Sequence, residues 1–396
     1  MIVRQFLQWV RFAPPGERAE ATSALARAYL HSDLSADDLA AAEGAMIMLL
    51  DDPSPLVRRA LAEVFASAQK APRVVVHALA SDQPEIAIPV LSRSPLLSED
   101  DLVDLVATVH PEAQVAIASR AMLPCSVAAA IAEVGAAQAC LALLENFDAD
   151  VALFSIDRIV ERFGHLAPIR ENLLDRAVLP MATRQALLSK LSQTLAGFVA
   201  ARQWLGPEHA EYAAREACEK ATVALAADTP YEEIGELVQH LRQSGQLTAG
   251  MILRALLSGN VVLFEEALAE LSGVPIERAA SYVHDRNISG FRALYGKAGL
   301  PDIAYPAFCE ALAAMREGVL LGEQGGASRL KRRMVERVLE ACAAERGADM
   351  SLMALLRRFA VEAAREEARM FCEDLVANDA MPPLAAQFAD DSRMVA

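Results

Sequence analysis

The feature that most constrains this chain is the short spacing of helix starts in its first half. Proline follows a polar residue at Ser54-Pro55, at Gln83-Pro84 and at His110-Pro111. Proline fits the first position of a helix because its missing N–H would have no helical partner there. Each interval between these starts is long enough for a pair of short helices, so the spacing predicts a series of helical hairpins.

The segments around these starts also resemble one another. LLDDPSPLVRRAL (49–61) is echoed by ALASDQPEIAIPVL (78–91) and more weakly by VATVHPEAQVAIASR (106–120). Apolar residues in comparable places, each 29 residues after the last, are Val57, Ile86 and Val115. A fixed period of this kind predicts a solenoid, in which each unit buries its apolar face against the next.

The sequence of the first repeat resembles HEAT repeats, in which a D-x-x-x-x-V-R motif joins two antiparallel helices. Asp52, Val57 and Arg58 match that motif. The resemblance implies a ladder of such aspartates and arginines between neighbouring units. Asp51 and Asp52 also precede a helix N-terminus, where free N–H groups favour anions. General acid/base catalysis would need a tuned carboxyl group in a pocket, so we assign Asp51, Asp52 and Arg58 a structural role.

A second resemblance covers roughly residues 40–310. Its text is LLDDPSPLVRRALAE, IAIPVLSRSPLLSEDDLVDLV and QVAIASR, followed in the second half by ILRALLSGNVVLFEEALAELSGVP and GFRALYGKAGLP. These phrases are similar to an alphaproteobacterial family of helical-repeat proteins of unknown function. The resemblance implies a helical fold and a lineage. It implies no reaction, because the family has no catalytic motif to place on these residues.

The composition favours helices throughout. Hydrophobic residues make up 54% of the chain and aromatic residues only 5%, and the abundant alanine is the best helix former. Val, Ile and Thr never gather into alternating runs between hairpin turns. We therefore predict an all-α fold: a HEAT-like helical-hairpin solenoid, then a second all-helical domain, then a C-terminal helical hairpin.

Changes in predicted helix length and in glycine content suggest where these parts begin and end. Longer helices are predicted at 182–201, 208–226 and 231–243. A flexible link is predicted at Gly318, Gly322, Gly325 and Gly326. The predicted parts are a HEAT-like repeat domain at 1–204, a second all-α domain at 205–318, a helical hairpin at 327–378 and a flexible tail at 379–396.

The charge balance bears on partners. The formal net charge is -16, and an acidic surface repels phosphate backbones, so broad nucleic-acid binding is not expected. One dense basic cluster stands against this balance: Arg329, Lys331, Arg332, Arg333 and Arg337. On a helix it is either a strip that binds an acidic partner, an anionic lipid surface or phosphate, or a solvated face balanced by nearby glutamates. The second interpretation is the commoner one for charge runs.

No metal, cofactor or membrane span is predicted. The six cysteines have neither metal-finger nor redox spacing, and the seven histidines are dispersed. The longest apolar-looking run, residues 127–144, contains Glu133 and Gly135, which favours two short buried helices over a span. We expect a reduced, cytoplasmic protein without a transmembrane segment.

The last strongly helical stretch, residues 350–378, carries an apolar stripe: Leu352, Leu355, Leu356, Phe359, Ala363, Met370 and Leu375. A helical hairpin would bury such a stripe against the body of the protein or against a second copy. We predict a homodimer that forms through residues 327–378.

Stacked helical pairs present a long face that suits protein binding. We therefore predict a non-catalytic interaction scaffold or adaptor, regulatory in role, in the bacterial cytosol. Its acidic surface would favour a basic or amphipathic-helical protein partner. Two alternatives stay open: a sensor that holds a small apolar ligand between domains near residues 205–310, and a HEAT-like enzyme that acts on nucleic acid or on a chromophore.

Overall fold

The structure, a computed structural model, describes residue 6 and residues 8–176, 179–285, 288–321, 326–344 and 349–378. Over these residues the chain forms helices with short connections and no β-strand. The all-α prediction is therefore confirmed. None of the described helices combines the length and the apolar character needed to cross a membrane.

Two compact units divide the chain: an N-terminal unit, Met1–Leu179, and a C-terminal unit, Pro180–Ala396. The described helices of the N-terminal unit are α1 Pro15–His31, α2 Ala36–Leu49, α3 Pro55–Phe65, α4 Arg73–Ala80, α5 Pro84–Arg93, α6 Glu99–Thr108, α7 Pro111–Ala118, α8 Cys125–Val134, α9 Ala137–Glu145, α10 Leu153–Phe163 and α11 Ala167–Leu174. Proline opens α1, α3, α5 and α7. Ser98 caps α6 in a reciprocal capping box with Asp101.

The helices of the N-terminal unit alternate between two rows. The odd-numbered helices α1 to α11 stack in chain order, each against the next odd-numbered helix. Among the even-numbered helices, α2 contacts α4, α6 contacts α8, and α8 contacts α10. Successive pairs of helices thus contact mainly their neighbours, which is a solenoid-like arrangement.

In α3, α5 and α7 the third residue of the helix lies in the interior of the array. Val57 in α3 and Ile86 in α5 hold this position and are fully buried. In α7 the equivalent residue is Ala113, which is 1% exposed. The assignment of Val115 to this position was wrong, since Val115 lies two residues further along and is half-buried. The cause is a shorter repeat: α5 begins 29 residues after α3, whereas α7 begins only 27 residues after α5.

A first ladder of polar contacts joins the N-terminal ends of the odd-numbered helices. Arg18, the fourth residue of α1, donates to both carboxylate oxygens of Asp52 at 2.9 and 2.7 Å. Arg58, the fourth residue of α3, donates to Asp82 at 2.6 and 3.2 Å and to the carbonyl oxygen of Asp52 at 2.6 Å. Each aspartate lies in the turn before the next odd-numbered helix, so each arginine binds the following repeat. Asp51 is exposed beside this ladder.

A neutral side chain continues the ladder in α7. Gln114, the fourth residue of that helix, donates to the carbonyl oxygen of Val106 at 2.8 Å. Its own side-chain oxygen accepts from the backbone N–H of Ala136, just before α9, at 2.9 Å. Gln114 is only 7% exposed. Its buried amide group would be destabilising without hydrogen-bond partners, and these two bonds supply them.

A second ladder joins the C-terminal ends of α5, α7, α9 and α11. Arg120, which follows α7, donates to the carbonyl oxygens of Leu91 and Ser94 at the end of α5, at 2.5 and 2.8 Å. Asn146 after α9 and Arg176 after α11 do the same for α7 and α9. The last carbonyls of a helix have no partner inside it and carry partial negative charge, so donors and cations stabilise them. Two sets of bonds therefore fix the stacking of this row.

The described helices of the C-terminal unit are α12 Met181–Ala201, α13 Pro207–Ala227, α14 Tyr231–Gln243, α15 Ala249–Leu257, α16 Val261–Ser272, α17 Ile276–His284, α18 Ile288–Lys297, a short 3₁₀ helix Asp302–Ala304, α19 Tyr305–Leu321, α20 Gly326–Ala344 and α21 Met350–Asn378. Helix α12 packs along α13 and α14. The unit therefore begins at residue 180, before α12, whereas the sequence placed the boundary after this helix, between residues 204 and 205.

Helix α15 lies at the centre of the C-terminal unit. It contacts α13, α16, α19 and α20, and all of its residues from Met251 to Leu257 are buried. The predicted C-terminal hairpin is present as α20 and α21, which pack on each other. Met334 and Val338 from α20, and Leu356 and Phe359 from α21, belong to the same apolar core as α15. The hairpin is thus part of the C-terminal unit.

The glycines of the predicted link differ in their placement. Gly318 lies within α19, and Gly326 begins α20. Gly322 and Gly325 lie outside the described residues, as does the predicted tail at 379–396. Three residues of the apolar stripe predicted in α21 are buried: Leu356, Phe359 and Ala363.

Candidate functional site

The basic cluster predicted as a partner-binding strip lies on α20. Lys331 forms an ion pair with Glu366 at 2.6 Å. Arg332 forms one with Glu336 of its own helix at 2.7 Å and one with Glu367 at 2.9 Å. Because Glu366 and Glu367 belong to α21, these two cations join the helices of the hairpin.

The remaining members of the cluster follow the same pattern in part. Arg337 pairs with Glu317 of α19 and lies 3.6 Å from Glu310. Arg329 lies 4.0 Å from Glu367, and Arg333 is exposed on the same helix. A partner at this strip would have to compete with these carboxylates of the protein itself.

The loop before α8, the loop before α10 and the first turn of α10 expose large apolar side chains, a surface that we name the apolar edge. Its members are Met122, Phe147, Leu153 and Phe154, which are 84%, 94%, 57% and 64% exposed. A hydrogen bond from the backbone N–H of Asp150 to the carbonyl oxygen of Leu123, at 3.0 Å, joins the two loops. The φ of Met122 is +50°, a left-handed conformation that costs a residue with a Cβ about 1–2 kcal/mol. The apolar edge is therefore a fixed feature of the fold.

A groove of about 920 Å³ opens in the C-terminal unit. Its walls come from α13, from the turn between α15 and α16, and from α20 and α21. Five cations line it: Lys220, Arg254, Lys331, Arg365 and Arg369. Three carboxylates line it as well: Asp228, Glu362 and Glu366. The lining thus has an excess of positive charge in a chain whose net charge is -16.

Arg254 is the innermost of these cations, with only 5% of its side chain exposed. Its Nη1 donates to Glu362 at 2.6 Å, and its Nη2 lies 3.6 Å from Glu216. The guanidinium group stacks 4.2 Å above the ring of Phe359. Its Nε and Nη2 are buried, and no described residue accepts a hydrogen bond from them. A guanidinium group has five N–H donors, so part of its capacity is unused.

A second unused donor lies in the turn before α16. The side-chain oxygen of Asn260 caps α16 by accepting from the backbone N–H of Leu263 at 3.1 Å. Its Nδ2 is buried without an acceptor among the described residues. The preceding Gly259 has a φ of +77°, which allows the sharp turn that brings Asn260 to the groove. The first turn of α16, with the positive end of its dipole, also lines the groove.

The carboxyl group of Glu219 lies close to Arg254. Burial raises the pKa of Glu219, while a hydrogen bond from Thr248 at 3.1 Å and the charge of Arg254 lower it in part. The net result is a pKa above the ordinary value for this group. Thr248 also caps α15 by accepting from the backbone N–H of Met251, which fixes the helix that carries Arg254.

The sequence predictions did not include this groove. Its residues come from stretches far apart in the chain, so no local pattern marks it. One signal was available: Arg254 stands alone in MILRALL, a helix in which every other residue from Met251 to Leu257 is apolar. The histidines, cysteines and carboxylates of the described ranges form no group of three or more that could hold a metal ion.

The fold and these surfaces define an all-α protein of stacked helices with two candidate binding sites. Residues 86–346 match a family described as "Uncharacterised protein conserved in bacteria (DUF2336)". Because this match spans more than half of the chain, the protein belongs to that family. A search of curated proteins found no match, and a search of solved structures found none either.

Proposed function

We propose that the protein is a non-catalytic interaction scaffold, and that it binds a partner protein at the apolar edge of its N-terminal unit. The observation that carries this proposal is the exposure of Met122, Phe147, Leu153 and Phe154 on two loops joined by a hydrogen bond and on the first turn of α10. Exposed apolar side chains grouped in one place mark interaction surfaces more often than isolated ones do. The unit is proposed to be a HEAT-like array, in an alphaproteobacterial branch of the family.

The two ladders support this assignment. Their hydrogen bonds join α1, α3 and α5 at the N-terminal ends of these helices and α5, α7, α9 and α11 at the C-terminal ends, and none of these bonds involves Met122, Phe147 or Phe154. The two aromatic side chains of the apolar edge therefore take no part in these contacts between helices, and the ladders do not explain their exposure. Glu145 at the end of α9 and Asp148 in the following loop lie on either side of Phe147 in the sequence. An apolar surface with an acidic border suits a basic amphipathic helix of the partner.

The test compares three forms of the full chain, each isolated with its bound proteins from the native organism after mild cross-linking. The forms are the wild type, the double variant Phe147→Ser/Phe154→Ser and the control Phe12→Ser. Phe12 is 90% exposed in the same unit but lies outside the apolar edge, so it matches the change in surface polarity. We expect one protein to be retained by the wild type and the control and lost from the double variant, with unchanged thermal unfolding. Equal retention by all three forms contradicts the proposal.

We also propose that two copies associate through the exposed end of α21. Val361, Met370, Phe371 and Leu375 are 42–63% exposed there. Removal of the hairpin is an unsuitable test, because α20 and α21 supply part of the core of the C-terminal unit. Light scattering should instead show dimers for the wild type and for Met350→Glu at the other end of α21, but monomers for Phe371→Glu/Leu375→Glu. A monomeric wild type, or a dimeric double variant, rules out this contact.

The proposed setting is the bacterial cytosol. The cysteines are free thiols, as is usual in a reducing compartment.

A further inference from the structure

We propose that the groove of the C-terminal unit binds a small organic phosphate. The proposal is independent of the scaffold function, because the groove lies in the C-terminal unit and the apolar edge lies in the other unit. Three properties of the groove carry it: its charge, its unused buried donors and its size.

The charge of the groove suits an anion with more than one negative charge. Its five cations exceed its three carboxylates by two. Glu362 neutralises Arg254 at 2.6 Å and lies 3.9 Å from Lys220, and Glu366 pairs with Lys331 at 2.6 Å. Arg365 is exposed at the groove, and Arg369 lies 3.5 Å from Glu373 of its own helix, which is its one ion pair among the described residues. These two arginines are therefore the side chains best placed to neutralise a dianionic phosphoryl group.

The buried donors point to an acceptor inside the groove. Arg254 is 4% exposed; its Nη2 has Glu216 at 3.6 Å, but its Nε has no hydrogen-bond acceptor among the described residues, and neither has the Nδ2 of Asn260. Buried N–H groups are nearly always hydrogen-bonded in native proteins. Both residues line the groove together with the N-terminal turn of α16, and the N-terminus of a helix is a common binding place for phosphate.

The size of the groove indicates more than a bare ion. Its volume of about 920 Å³ lies within the range of sites for organic ligands, roughly 300–1,000 Å³. Apolar residues from α13 and from the first turn of α16 also line the groove: Val223, Ala224, Ala227, Val261 and Val262. An organic group can lie on these apolar residues while the phosphoryl group meets the cations. A lining with this many charges suits an anionic ligand better than a purely apolar one.

The test is calorimetric titration of the full chain in a low-salt chloride buffer. The probes are adenosine 5′-monophosphate, glucose 6-phosphate, inorganic phosphate and citrate. We expect saturable binding of at least one organic phosphate, at one site per chain and more tightly than inorganic phosphate or citrate. Absence of saturable binding by both organic phosphates overturns the proposal. So does citrate binding as tight as theirs, because it would show that the groove selects charge alone.

Variants place the binding in the groove. Arg365→Gln/Arg369→Gln should weaken binding of the organic phosphate by about tenfold or more, since one charge-assisted hydrogen bond contributes that much. Arg59→Gln/Arg93→Gln removes the same charge from exposed positions of the N-terminal unit and should leave the affinity within about twofold. Asn260→Asp keeps the oxygen that caps α16 but replaces the unused donor with a negative charge, so it should also weaken binding. Equal weakening in the two double variants would assign the effect to net charge and refute the site.

Discussion

Two neighbouring arginines of α3 provide a direct test of the ladder between repeats. Arg58 contacts the next repeat through Asp82, and both side chains are largely buried, at 16% and 19% exposed. Arg59 pairs with Glu63 one turn further along the same helix, at 2.9 Å, and those side chains are 53% and 55% exposed. The two ion pairs differ in burial and in whether they join two repeats, while the helix and the residue types are closely matched.

The expected energies follow from this geometry. Arg58 donates twice to the carboxylate of Asp82, and a charge-assisted contact of this kind contributes about 1.5–3 kcal/mol. Its further bond to the carbonyl oxygen of Asp52 adds about 1 kcal/mol to the cost of Arg58→Ala. An exposed pair on one helix, such as Arg59 with Glu63, contributes only about 0.3–0.5 kcal/mol.

The assay is a double-mutant cycle for each pair, measured by urea unfolding. The cycles use Arg58→Ala with Asp82→Ala, and Arg59→Ala with Glu63→Ala. All variants carry Trp204→Phe, so that fluorescence reports the N-terminal unit through its own Trp9; Trp204 is 65% exposed and its replacement should cost little.

We expect a coupling free energy several times larger for Arg58 with Asp82 than for Arg59 with Glu63. Equal coupling in the two cycles would refute the reasoning, because the ladder would then contribute no more than a surface ion pair. A large cost of Arg58→Ala without coupling to Asp82 would assign its role to the carbonyl bond alone.

Three further changes test other parts of the fold. Asn146→Ala should lower the unfolding free energy by about 1–2 kcal/mol, because two carbonyl oxygens lose their donor. Asn146→Asp should lower it further in urea titrations, because a carboxylate would face those oxygens. Gly135→Ala should lower the melting temperature, since the new Cβ would lie 2.5 Å from a backbone oxygen, whereas Gly44→Ala meets nothing within 4 Å and should stabilise by about 0.5–1 kcal/mol. Glu219 has a raised pKa in the folded protein. The protonated carboxyl group therefore contributes to folding stability below the ordinary pKa of 4.5, and this contribution is lost as the pH rises through the pKa of the folded protein. Urea unfolding should therefore show Glu219→Gln more stable than the wild type at pH 7, and the difference should shrink towards pH 4.

Helix positions could be predicted from the sequence because the signals that set them are local. The longer helices predicted at 182–201, 208–226 and 231–243 differ from α12, α13 and α14 by at most one residue at either end. Proline at a first position, serine or asparagine at a cap and glycine after the last turn act through bonds to residues within one turn. These bonds form in the same way whatever the helix later packs against.

The contacts between repeats were less predictable because they depend on spacing. Asp52 and Arg58 were assigned to a ladder, but their partners, Arg18 and Asp82, lie 34 and 24 residues away. Pairing at such distances follows from the length of each hairpin, and these lengths vary along the array. The error at Val115 has the same origin, since a change of two residues in one repeat moves every later position around its helix.

The groove could not be predicted because it exists only after four parts of the C-terminal unit have packed together. Its one trace in the sequence is Arg254, and the structure explains why a buried arginine is informative there. An apolar residue of similar volume often stabilises a core as well as a buried ion pair does, so packing alone gives no reason for an arginine in α15. Glu362 and Phe359 compensate for its burial, and Glu216 lies 3.6 Å from its Nη2, but its Nε has no acceptor among the described residues. The core does not require the guanidinium group of Arg254 and satisfies only part of its hydrogen-bonding capacity. A role in the groove that Arg254 lines is the best explanation for its presence.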